Sequence, residues 1–112
     1  MISWPAIIKY NGDDELGYVA NESEWSNDAD LSLITYDDND VLIDNNGHIY
    51  HLNIMENGVV YPRSTKTAIS LSQLIQLVKR HAVLQGECCI EKIVFKNISE
   101  GIQLIASMCE EH

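Results

Sequence analysis

Asp37, Asp38, Asp40 and Asp44, interleaved with Asn39, Asn45 and Asn46, form the densest set of side chains in this 112-residue chain that could do chemistry. Oxygen donors at that density suit a hard cation, so a weak divalent-cation site over Asp37 to Asp44 is one reading. The segment lacks the alternate-position ligands, central glycine and terminal bidentate glutamate of a calcium loop, and Asp and Asn are also ordinary turn residues. A second reading makes the four carboxylates part of a surface for a cationic protein, and a third makes them a solvated acidic loop that serves solubility alone. Up to Glu56 the chain carries twelve acids against one base, Lys9, and the remainder carries five acids against six bases, for a net charge of −10. Such a field repels nucleic-acid phosphate and anionic membrane and attracts cations or a basic protein surface.

Other reactive side chains lack the company that chemistry needs. His48 and His51 are three apart in a strand-like segment, so they face opposite sides and cannot hold one metal together. His81 sits at the edge of an apolar helical arc. A small enzyme would place either His81, as general base, or a carboxylate pair in a pocket, but a hydrogen-bonded boundary histidine is the commoner role. Cys88 and Cys89 are adjacent, without a Cys-x-x-Cys or a histidine at zinc spacing, and Cys109 falls on an apolar stripe, so free thiols are expected. Serine-nucleophile elbows, phosphate loops and dinucleotide fingerprints are absent from the sequence. No metal and no cofactor is expected.

The elements that would position these residues are marked by punctuation and period. Asn11-Gly12, Asn46-Gly47 and Asn57-Gly58 each lie between strand-like runs, the strongest short-range hairpin signal. The first turn would bring Trp4 to Tyr10 against Leu16 to Ala20, with Ile7 opposite Leu16. A two-residue second turn pairs Ile43 with Tyr50 and Val41 with Leu52, collecting four apolar side chains on one face. The third leads from His51 to Met55 into Val59 to Tyr61, so that the segment from His48 to Met55 would be paired on both sides. Between the first two hairpins, Asn21 caps one short helix and Tyr36 to Asp40 forms a surface connection.

Leu71, Leu74, Ile75, Val78 and Ala82 follow helical spacing, with Ser70 or Thr67 as cap and Gly86 as the left-handed stop. Ile90 to Phe95 reads as a strand, and Ile98, Ile102, Ile105, Ala106 and Cys109 mark a last helix starting near Ser99. Leu77, Leu84, Leu104 and Met108 widen the apolar arcs of both helices, as contact with a further layer or a partner requires.

The strings Ser3-Trp-Pro-Ala-Ile-Ile-Lys-Tyr-Asn-Gly-Asp-Asp-Glu-Leu16 and Asp40-Val-Leu-Ile-Asp-Asn-Asn-Gly-His-Ile-Tyr50 resemble a small bacterial family known only as a domain of unknown function. The resemblance spans the first half of the chain and implies a compact cytosolic protein, with no activity or catalytic residue to carry over.

The expectation is one α+β domain over residues 1–112, of order ββαβββαβα, with two amphipathic helices on an antiparallel sheet of hairpins. At this length and 46% hydrophobic content a chain buries roughly two thirds of its unfolded surface without staples. No membrane-length apolar run or leader pattern occurs, and a cytoplasmic location is expected. The expected function is that of a small non-enzymatic binding or regulatory protein. Its acidic surface, with Asp37, Asp38, Asp40 and Asp44 as candidate contacts, would engage a basic protein as an immunity protein does, or the chain would self-associate through its apolar helix flanks.

Overall fold

Ala6, Ile7 and Ile8 are consecutive residues with no solvent exposure, so the strand that carries them has a core on both faces. In the computed structural model of the chain, which describes residues 2–27, 36–52, 55–56, 59–87 and 90–110, this strand is β1 (Ala6–Lys9). It lies inside a five-stranded antiparallel sheet of order β2-β1-β3-β4-β7, with β2 at Leu16–Val19, β3 at Val41–Ile43, β4 at His48–His51 and β7 at Arg63–Ala68. β5 (Met55–Glu56) and β6 (Val59–Val60) form a separate two-stranded ribbon. Among the described residues three α-helices accompany the strands: α1 (Glu22–Asn27), α2 (Leu71–Leu84) and α3 (Ile98–Glu110). The fold is α+β, as the sequence predicts.

One face of the sheet presents Ile7, Leu16 and Ile43 to Leu74, Val78 and Ala82 of α2 and to Ile102, Ile105 and Met108 of α3. The opposite face presents Ala6, Ile8, Val19, Leu42 and Tyr50 to Trp25 of α1, Tyr36, Leu52 and Val60. The sheet is therefore the middle of three layers. The helices start where local chemistry dictates. Ser70 and Gln73 form a reciprocal capping box, with Gln73 N–H donating to Ser70 Oγ at 3.1 Å and Ser70 N–H to Gln73 Oε1 at 2.9 Å. Asn21 Oδ1 accepts from Glu24 N–H at 2.8 Å and Asn97 Oδ1 from Glu100 N–H at 2.9 Å, each satisfying a first-turn amide. Gly86, at φ +75°, ends α2.

The two covered faces explain why the expected registers are displaced. Ile43 lies opposite Ile49, not Tyr50, and Val41 opposite His51, not Leu52. The connection is a three-residue loop closed by Gly47 at φ +86°, with Gly47 N–H donating to the Asp44 carbonyl at 2.9 Å. The expected register assumed that apolar side chains on the second face would be lost to water. Here Val41, Ile43 and Ile49 serve one core and Leu42, Tyr50 and Leu52 the other. Ile7 likewise faces Tyr18, and it is Lys9 that faces Leu16. Asn11-Gly12 makes a β-turn within a longer connection, because the Asn11 amide is bonded to Asp40 of the neighbouring turn.

Three further expectations are corrected. The strand expected at Ile90 to Phe95 is a single 3₁₀ turn, Ile90–Lys92, after which Ile93 and Phe95 pack onto the helices. β4 has β7 as its second neighbour, so pairing on both sides stops at His51 and does not reach Met55. β7 reads Arg-Ser-Thr-Lys-Thr-Ala, an edge strand without apolar alternation, and Thr65, Lys66 and Thr67 bulge opposite Ile49 with Lys66 at φ +61°. Finally, Tyr36 and Asp40 are buried, where a surface connection was expected. Asn57-Gly58, Cys88 and Cys89 lie outside the described residues, as does the side chain of Cys109.

Gly101 leaves no room for a side chain: a Cβ there would meet Phe95 Cε2 at 2.6 Å and Leu74 Cδ2 at 2.8 Å. Alanine in a helix is favoured over glycine by about 1 kcal/mol, but overfilling a packed core costs about 1–3 kcal/mol. Gly101→Ala is thus expected to lower stability by up to ~2 kcal/mol, read from the urea midpoint. An unchanged or raised midpoint would show that Phe95 and Leu74 yield freely.

Candidate functional site

The four aspartates do not share one surface. Asp44 has no solvent exposure, and its carboxylate accepts from the backbone of Ser3 (3.1 Å), Asn46 (2.9 Å) and His48 (2.9 Å) and from the Tyr50 hydroxyl (3.3 Å). It also lies 3.7 Å from His48 Nδ1. A buried carboxylate is tolerable only with such a set of donors, and this one joins the N-terminal segment, the β3–β4 loop and β4. Asp40, 7% exposed, accepts from Asn11 N–H at 2.6 Å and Asp37 N–H at 2.8 Å. Asp40 and Asp44 are therefore internal staples rather than contact residues, a correction to the exposed quartet expected from the sequence. Asp37 and Asp38 do face outward.

The Asn11–Asp40 bond brings a second acidic segment to the same end of the sheet. Asp13, Asp14 and Glu15 are exposed on the β1–β2 connection, so five outward carboxylates belong to two connections tied by one hydrogen bond. Underneath, Tyr10 stacks on Tyr36 (centroids 6.3 Å apart) and Tyr36 on Trp25 (6.2 Å), a rigid aromatic base for both connections. The negative field converges on Tyr10: its phenol is pushed above the ordinary tyrosine value by burial first, then by Asp40, Glu15 and Asp13. Lys9 Nζ turns into the loop, donating to the carbonyls of Tyr10 and Asp13.

His81 is 1% exposed, and its Nδ1 accepts the Leu16 amide proton at 3.0 Å across 65 residues of sequence. That bond occupies the lone pair and fixes the other ring nitrogen as the protonated one, an arrangement that fastens α2 to β2 and leaves no basic site open to a substrate. His51 lies on the other side of β4 from His48, at the position facing Val41. Among the described residues no three His, Cys, Asp or Glu side chains converge as metal ligands would. No helix among them is long and apolar enough to cross a membrane. Sequence reading missed the inward roles of Asp40 and Asp44. Their signal was the turn itself, since an aspartate ahead of Asn-Asn-Gly commonly caps the amides that follow it.

Two outcomes test this arrangement. Asp44→Ala strands three backbone donors and should cost ~2–4 kcal/mol in chemical denaturation, whereas Asp14→Asn, at an exposed position, should stay within about 0.5 kcal/mol. Burial, then the Asp44 charge and hydrogen bond, also raise the Tyr50 phenol above its ordinary 10.0. A raised folded value means that the stabilisation is fully present below pH 10 and lost as pH climbs through the folded value, because the folded state resists ionisation. Tyrosinate absorbance should place Tyr10 and Tyr50 among the late phenols, with unfolding in the same alkaline range. Tyr50→Phe should remove one late phenol.

The fold has a counterpart among solved structures. The NMR structure of a protein from Shewanella amazonensis superposes with a TM-score of 0.68 at 23% identity, covering 96% of this chain and 90% of that one, a likeness of fold. No curated protein matches the chain. The DUF4144 family, described as a protein structure with unknown function, matches residues 4–105, which takes in every described strand and the first half of α3. By that match the chain belongs to the DUF4144 family.

Proposed function

We propose that this chain is a small bacterial, cytoplasmic, non-enzymatic binding or regulatory protein whose acidic end engages a basic protein partner, in the way an immunity protein meets a cationic toxin. The observation that carries the reading is the joining of Asp13, Asp14 and Glu15 to Asp37 and Asp38 through the Asn11–Asp40 bond. Carboxylates held at one end of a rigid sheet steer a cationic surface into register, and their main effect is on the encounter rate. Self-association is a second reading, favoured by Val83, Leu84 and Val94, which are 56%, 55% and 74% exposed. Sedimentation of the purified chain decides that question.

The partner reading is tested by capturing basic proteins from a lysate of the source organism and measuring association of each purified candidate. The comparison is between the wild type and a variant carrying Asp13→Asn, Asp14→Asn, Asp37→Asn and Asp38→Asn. Association at low salt should slow by about 10-fold in the variant, while dissociation changes little. Added salt should erase the difference, since surface charges are screened over about 10 Å at 0.1 M. A bound partner whose association ignores both salt and the four substitutions would overturn the reading.

A further inference from the structure

The two long helices leave part of their own face of the sheet uncovered. Beside α2 a groove of about 430 Å³ opens, floored by Val41, Ile43 and Ile49 of the sheet together with Ile69 and Leu77. Lys9, Gln73, Gln76 and Arg80 complete its lining. Its size is that of a small-molecule site, and its chemistry is the usual mix of an apolar floor with a few polar groups. The charge of that lining is unlike the rest of the chain. Acids outnumber bases by 17 to 7 in the sequence, yet this groove has two bases and no acid.

The two bases differ in what they can do. Lys9 donates to loop carbonyls, so its stem contributes apolar wall and its charge adds to the local potential. Arg80 is exposed and, among the described residues, has no ion-pair partner. A guanidinium with a free fork beside an apolar floor matches a planar carboxylate attached to a hydrocarbon body. The Gln76 side chain supplies a further amide donor to the same lining.

We propose that this groove binds a small amphiphilic monocarboxylate, its chain on Val41, Ile43, Ile49 and Leu77 and its carboxylate on Arg80. The site is separate from the acidic end and does not depend on the partner reading.

The test is a methyl and side-chain amide NMR titration of the full chain with octanoate, octylamine and octanol. Octanoate should shift Ile49, Ile69, Leu77 and Gln76 in a saturable way, with octylamine and octanol about 10-fold weaker or worse, the discrimination expected of one charge-assisted contact. Arg80→Gln, at an exposed position, should weaken octanoate by a similar factor and leave octanol unchanged. Absence of saturable shifts at millimolar octanoate would overturn the proposal. Equal affinity for all three probes, indifference to Arg80→Gln, or tighter binding of a Glu- and Leu-rich helical peptide to the same residues would overturn it as well.

Discussion

A central strand that is buried on both sides must be covered twice, and the rest of this structure follows from that requirement. Two long helices cover one face; a short helix, an aromatic stack, the N-terminal segment and a two-stranded ribbon supply the other. The second cover is assembled from irregular pieces, so it needs fastening. Asp44 does this at the end of β3, where one carboxylate fixes the Ser3 backbone and the turn into β4. The cost of removing that carboxylate from water is offset by charge-assisted hydrogen bonds, which water would otherwise provide.

The same economy of position sorts the aspartates. Asp40 and Asp44 each stand beside a turn whose amides need acceptors, and each is drawn inward. Asp37, whose own amide donates to Asp40, and Asp38 both stay exposed. Charge that looks continuous in sequence is thus divided between holding the fold and shaping its field. The exposed part gains a rigid mount from Trp25, Tyr36 and Tyr10, so the outward carboxylates keep a defined geometry.

What could be read from the sequence was whatever local chemistry decides alone. The capping box at Ser70, the cap at Asn21, the stop at Gly86 and the apolar spacing of α2 and α3 need no knowledge of the remaining chain. Registers are different. The pairing of Ile43 depends on whether a second core exists behind Leu42 and Tyr50, a fact contributed by Trp25, Tyr36 and Val60 from distant segments. β7 escaped notice because a polar edge strand carries no alternation, and Ile90 to Phe95 misled because a short apolar run serves a packed turn as well as a strand. The aspartates were visible as a group, but which of them turn inward is set by partners up to 41 residues away.

Each outer strand of the sheet carries a feature that works against further pairing, and the two features differ. At β2 the Leu16 amide is occupied by the His81 imidazole, so one outward donor of that edge is spoken for by α2. At β7 the bulge around Lys66 breaks the straight ladder that an incoming strand would need and sets a lysine in its path. Unprotected strand edges recruit one another, and the short, bent or charged edge is the common defence against fibrous aggregation. His81, read from sequence as a possible proton carrier, thus belongs to the means by which this sheet stays five strands wide.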